Sequence, residues 1–277
     1  MCDLRTCVAV ALSVACMGGC GRSSPPSSGP TPDTDAGRRP DPSLPLSDGF
    51  EGESVAPFWR AGDAGSGRYA PGAVALTAEY ARSGRQSVRI TVREGDVQQH
   101  GDDGEDNERA ELDSGKLPFA GRDLWYGFSV LAPPDFPIVG TRLVIAQWKQ
   151  TGVSGGPLIA QRYRSGRHHL TIRDWSGPDG DRREYPLPAL TPGRWTDMVY
   201  RVRLSAAADG LVEVWADGAR VVSHRGPTAS ATGGDRVYNK VGLYRDRMAQ
   251  PMTLYFDNYT AGDGFAAVDP SRFDRDP

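Results

Sequence analysis

Tyr238-Asn-Lys240-Val-Gly242-Leu-Tyr244-Arg245 is the stretch whose reading decides the fold. Side chains of a β-strand alternate between faces, so Lys240, Gly242 and Tyr244 share one side while Val241 and Leu243 point into an apolar core. The polar side presents a cation, a gap without a side chain and a phenol. A bulky anionic ligand could lie there against the backbone and meet a proton donor. Tyr238 and Arg245 flank the run and count as further ligand contacts.

Two other strands repeat the pattern. In Glu108-Arg109-Ala110-Glu111-Leu112-Asp113, alternation puts Arg109, Glu111 and Asp113 on one face and Ala110 and Leu112 on the core side. In the run ending Gln147-Trp148-Lys149, Gln147 and Lys149 share a face, roughly 6–7 Å apart. Alone, the Arg-x-Glu block reads as a solvated salt-bridged face, Gln-x-Lys as an exposed edge and Tyr244 as a half-buried core phenol; the three together suggest chemistry on a polyanionic sugar.

The rest of the chain from Ser47 has the same texture of short alternating runs split by Gly, Pro and Asp. Strands are expected over 87–93, 108–113, 124–131, 142–149, 158–163, 168–174, 195–204, 211–216, 240–244 and 253–260, with no helix. Trp215-Ala-Asp217-Gly218-Ala reads as a hairpin turn. Such spacing fits an all-β protein, a two-sheet concanavalin-like β-jelly roll sandwich forming one domain over 47–277. Asp48-Gly-Phe50-Glu51 and Tyr255-Phe256-Asp257-Asn258-Tyr259 read as first and last strands that pair. Asp257 with Asp48 is the candidate for a structural calcium, held through oxygen ligands.

The N-terminus has a different character. Residues 8–15 are an apolar run of signal-peptide length, followed by Met17-Gly-Gly-Cys20, which is similar to the lipobox of bacterial lipoproteins. Residues 1–19 are expected to be a lipoprotein signal peptide, and 20–46 a Pro/Ser-rich disordered tether. All four cysteines lie in the first twenty residues, so Cys20 is the lipidation site and the mature domain has no thiolate or disulfide. The expectation is an exported monomer, a cell-envelope lipoprotein or secreted, touching membrane only through its lipid. A net charge of −3 without a basic tail gives no reason to expect nucleic acid.

Arg-Ala-Glu-Leu, Gln-Trp-Lys and Tyr-Asn-Lys-Val-Gly-Leu-Tyr resemble, in order and separation, the three blocks of jelly-roll polysaccharide lyases. That group includes alginate lyases with R-x-E-L, Q-x-H and Y-x-K-x-G-x-Y blocks, and the heparin lyase I and glucuronan lyase families. The flanking Trp125-Tyr-Gly-Phe-Ser and Trp215-Ala-Asp-Gly resemble the heparin lyase I-like branch most. The resemblance spans about 47–264 and implies β-elimination on a uronic-acid polysaccharide with no required cofactor. By position, Arg109 and Gln147 would neutralise the uronate carboxylate, Tyr244 would protonate O4 and could also take the C5 proton, and Lys240 would bind the sugar acid or tune the phenol.

The chain departs from the pattern at Lys149, where the family has histidine. Lys149 could be the base, a second carboxylate clamp or a sign of lost activity. His100, in the loop before the first block, is the substitute base, whereas His168 and His169 read as structural. Two alternatives stay open: a non-catalytic acidic-glycan-binding lipoprotein, and a jelly-roll glycoside hydrolase using Glu111 and Asp113. The hydrolase signature would need a third acid where Gly115 stands.

Overall fold

The computed structural model describes residues 41–61, 69–97, 107–175 and 181–275. Cys20 and the whole N-terminal segment, like His100 and its loop, lie outside them. Strands in chain order are β1 (Leu46–Asp48), β2 (Arg60–Ala61), β3 (Val74–Thr77), β4 (Ser87–Val92), β5 (Asn107–Asp113), β6 (Leu117–Pro118), β7 (Leu124–Leu131) and β8 (Leu143–Gln150). They continue with β9 (Ile159–Arg164), β10 (Arg167–Arg173), β11 (Arg182–Pro186), β12 (Trp195–Arg203), β13 (Leu211–Ala216), β14 (Ala219–Arg225), β15 (Arg236–Asp246) and β16 (Met252–Gly262).

These strands form two antiparallel eight-stranded sheets. The first runs β14-β13-β12-β7-β16-β4-β3 with β1 added on β16, and the second runs β11-β10-β9-β8-β15-β5-β2 with β6 added on β15. This is a β-jelly roll sandwich, as the alternating sequence requires. Each sheet sends one set of side chains inward. Ala110 and Leu112 of β5, and Val241 and Leu243 of β15, are all buried in the core. Trp148 on β8 packs across the gap against Tyr200 of β12 and Tyr126 of β7, with ring centroids 4.5 and 5.7 Å apart.

Local chemistry sets the turns. Asp217 and Gly218 take φ of 47° and 76°, the paired left-handed residues of a tight hairpin whose twist matches the strands it joins. β1 pairs with β16, Asp48 opposite Tyr259, so the opening and closing segments do close the sandwich.

Two expectations need correction. The chain is not free of helix: a short α1 (Phe265–Val268) is followed by a 3-10 turn over Pro270–Arg275. Four residues are too few to show a helical period. The order also begins before residue 47, since Asp41 pairs with Arg236 at 2.9 Å and with Arg60 at 3.8 Å. At the two carboxylates expected to hold calcium, N–H donors are the contacts seen. Asp48 accepts from the Phe50 and Ala56 amides and Trp59 Nε1 at 2.7–2.8 Å. Asp257 accepts from the amides of Arg82, Ser83 and Asn258. Both carboxylates are occupied by N–H donors, and no group of three or more metal-ligating side chains occurs among the described residues.

Candidate active site

The outward face of the second sheet carries the chemistry. Its strand order brings β5, β15 and β8 together, although they lie far apart in sequence. The register sets Tyr244 opposite Arg109, Gly242 opposite Glu111 and Lys240 opposite Asp113. On the other side of β15, Lys240 stands opposite Gln147 and Tyr238 opposite Lys149. The predicted blocks are therefore neighbours in space.

A cleft of about 870 Å³ crosses this face, lined by Arg109, Gln147, Lys149 and Tyr244 together with residues from the β9–β11 hairpins. The Arg109 guanidinium lies 4.2 Å from the centre of the Tyr244 ring, and that of Arg142 lies 4.7 Å from it. Cations over a ring face are attracted by its quadrupole, so the phenol is held between strands by two arginines. Arg142 is itself anchored by Asp246 at 2.5 Å and Asn107 at 2.6 Å. Burial opposes the Arg142 charge, but its contacts with Asp246 and Tyr244 outweigh that and raise its pKa.

Glu111 organises the floor. Its Oε1 accepts a 2.5 Å hydrogen bond from Gln147 Nε2, while Oε2 lies 4.0 Å from Arg109 and 3.9 Å from Lys240. Glu111 and Lys240 are buried and, unlike Gln147 and Arg109, are not among the described residues that line the cleft. They hold Gln147 and Arg109 in position from below. The sequence could show that this face was polar; it could not show that part of it is covered. Tyr69, which the sequence did not single out, contributes here through a 2.8 Å hydrogen bond to the Glu111 carbonyl.

Gly242 also has a reason the sequence reading missed. A Cβ there would stand 2.3 Å from the Ala110 carbonyl oxygen, and its φ is 146°. The glycine lets β15 approach β5 beside a register shift between β15 and β8. Its lack of a side chain serves strand packing as well as ligand room.

Other expected contacts fall elsewhere. Arg245 is fully buried on the opposite face, paired with Glu108 at 2.7 Å and bonded to the carbonyls of Gln250 and Met248. Its odd position in the alternating run turns it away from the cleft. Tyr238 is nearly buried, with the Lys240 ammonium 5.7 Å from its ring centre, and does not line the cleft. The two histidines of β10 divide. His168 is internal: its Nδ1 donates to the Pro188 carbonyl at 2.6 Å and its Nε2 accepts from Gln161 at 2.8 Å, with Gln161 accepting in turn from Tyr200. Burial pushes its pKa down to about 4. His169 faces outward and lines the cleft, against the structural role expected of it. Arg142, Arg182, Thr171 and Glu184 also line it and gave no block-like signal in the sequence.

The fold and this long polar cleft define a jelly-roll protein with a cationic groove across one sheet. Residues 49–260 match the model of the polysaccharide lyase family, and the chain belongs to that family; it is a polysaccharide lyase. No curated protein matches it in sequence. Among solved structures it is similar to the endo-β-1,4-glucuronan lyase of the fungus Trichoderma reesei, with TM-score 0.61, 19% identity, and coverage of 82% of this chain and 98% of that one. An alginate lyase from Pseudomonas aeruginosa gives TM-score 0.52, 19% identity, and coverage of 71% and 88%. The cellulose-induced protein Cip1 gives TM-score 0.54, 15% identity, and coverage of 79% and 97%. At such identities the likeness is one of fold.

Proposed function

We propose that this lyase cleaves a uronic-acid-containing polysaccharide by β-elimination in the cleft over β5, β15 and β8. The observation that carries the reading is the convergence of Arg109, Gln147, Lys149 and Tyr244, from three strands distant in sequence, on one groove. A uronate has an acidic C5 proton beside its carboxylate. Removing that proton, forming the C4=C5 double bond and breaking the C4–O4 bond require a neutralised carboxylate, a base and an acid. Arg109 and Gln147, both tied to Glu111, would neutralise the carboxylate; a planar guanidinium matches its two oxygens. Tyr244, lying against Arg109, would return a proton to O4. Lys149 is the base candidate among the described residues, and His100 the one outside them. His169 stands three strands from β15, on the order of 14 Å, which is too far to serve the same sugar as Tyr244.

The hydrolase alternative finds little support. Glu111 is buried against Gln147, and Asp113 accepts from the Gly115 amide at 2.7 Å, so the two acids do not flank an open groove. Export and a lipid on Cys20 remain part of the proposal, supported by the lipobox-like segment. Labelling with a radioactive fatty acid, with and without Cys20→Ala, tests the anchor.

The test of the activity is ultraviolet absorbance of the conjugated unsaturated product, followed on a panel of uronate polymers with wild type, Tyr244→Phe and Tyr238→Phe. Elimination lost in Tyr244→Phe and kept in Tyr238→Phe, whose phenol does not line the cleft, supports the assignment; elimination that survives Tyr244→Phe overturns it.

A further inference from the structure

The guanidinium of Arg142 divides its donors between a clamp at the end of the sheet and the Tyr244 phenol. Its Nε and Nη2 both donate to Asp246 Oδ1, at 2.9 and 2.5 Å, and Nη2 donates again to Asn107 Oδ1 at 2.6 Å. Asn107 and Asp246 stand opposite each other where β5 and β15 pair, so the sheet register builds the clamp. A guanidinium has five N–H groups and no acceptor. Three are taken by the clamp, which leaves the two of Nη1 for Tyr244. Burial opposes the Arg142 charge, yet hydrogen bonds with the Asp246 and Tyr244 side chains raise its pKa, as expected of a cation held by accepting groups.

Because Arg142 can only donate, the phenolic oxygen accepts. The O–H proton of Tyr244 is then turned away from Arg142, and the cleft that Tyr244 lines is open to receive it. Arg109, 4.2 Å from the same ring centre, is tied to Glu111 and is the cation assigned to the sugar acid. The two arginines at one phenol have separate work.

We propose that Arg142 is the positioning residue of Tyr244: it turns the phenolic proton into the cleft and holds the negative charge left on the oxygen once that proton has gone to O4. The role rests on the uronate-elimination reading. In that step the base takes the C5 proton, and the C5–H electron pair becomes the C4=C5 bond. The C4–O4 pair leaves on O4, which takes the Tyr244 proton. The phenolate that remains lies against the Arg142 cation and recovers its proton from water after the product departs. Arg142 thus acts through the phenol.

The test is a double-mutant cycle read by absorbance of the unsaturated product. Arg142→Gln should lower kcat about 10–100-fold, part of what a general acid contributes, with KM within about twofold of wild type. Arg142→Lys, which keeps a cation and a donor, should recover most of that loss. In Tyr244→Phe, which has no oxygen to hold, adding Arg142→Gln should change the residual kcat by less than about twofold. Asp246→Ala loosens the clamp and leaves the cation, so it should act in the same direction more weakly. A loss carried by KM, or an equal loss in the Tyr244→Phe background, would overturn the role. Nitration of Tyr244 by tetranitromethane, which attacks the phenolate, reads the same contact without turnover. Arg142→Gln should slow it about threefold or more by removing the nearby cation, whereas a merely loosened cleft would speed it. If wild type yields no unsaturated product and Arg142→Gln still slows nitration, elimination fails and the pairing of Arg142 with the phenol stands; equal or faster nitration removes it.

Discussion

The outward faces of the two sheets are both rich in arginine, and they treat it differently. On the first sheet, Arg201 reaches Asp123 at 2.6 Å and Glu213 at 2.9 Å, Arg203 reaches Asp123 at 2.6 Å, and Arg220 reaches Glu213 at 3.0 Å. Burial alone would raise the Asp123 pKa, yet hydrogen bonds from Arg203 and Arg201 hold it below the usual carboxylate range. Every one of these cations has an acid, and Trp125 and Trp215 stack beside them at 5.6 Å. On the second sheet, Arg109 shares Glu111 with Lys240 and Gln147, and Arg162 has a hydroxyl where an acid would balance it. Balanced charge is architecture. Cations gathered along a groove are a capacity to bind.

That contrast can be broken most sharply at Tyr244. Replacing it by phenylalanine should lower kcat by about 10²–10⁴-fold with little change in melting temperature, because only a proton donor is lost. Unchanged turnover would remove the phenol from the chemistry. Arg109→Gln should cost about 10²–10³-fold in kcat/KM, the scale of losing one preorganised donor to a developing anion. On the other sheet, Arg201→Gln should leave kcat/KM within a factor of about two, so a large activity loss there would erase the distinction between the faces.

Effects on stability are smaller. His168 is held neutral, with a pKa of about 4 against 6.5 when unfolded. Between those values the unfolded chain binds the extra proton, so the contribution is complete above about pH 6.5 and is lost as pH falls towards 4, reaching at most about 3 kcal/mol. Melting temperatures measured from pH 7 to 4 should fall, and His168→Gln should flatten that slope; a His168 resonance titrating near 6.5 by NMR would refute it. Smallest of all, Arg201→Gln should cost no more than about 1 kcal/mol in chemical denaturation, since its ion pairs are partly exposed and screened.

Much of this was legible in the chain. Strand β7 and strand β13 fall at the expected residues because their alternation is strong and Gly, Asp or Pro bounds them. Strand β11 is not among the expected strands: Arg182-Arg-Glu-Tyr-Pro186 is an edge strand, largely exposed, with no apolar face to announce it. Strands β3 and β14 are the two edges of the first sheet; β3 is absent from the expected strands, and β14 enters only as the second arm of the Asp217-Gly218 hairpin. For the site, the even-numbered face on β15 puts Tyr244 outward, where it lines the cleft, and the same parity excludes Arg245, which the reading nonetheless kept. Lys240 looked like a ligand contact because period-two patterning tells which side a residue faces and says nothing of what covers that side.

The sequence alone determined the layered architecture, since alternating apolar residues can be buried only by packing sheet on sheet, and it determined which side chains share a strand face. Tertiary structure decided which charges meet. Arg142 comes beside Tyr244 through the pairing of β8 with β15, and Arg162 comes two strands away on the same face through the pairing of β9 with β8. Local periodicity fixes facing within a strand, whereas the balance of charge around each arginine is a property of neighbours that only the strand order supplies.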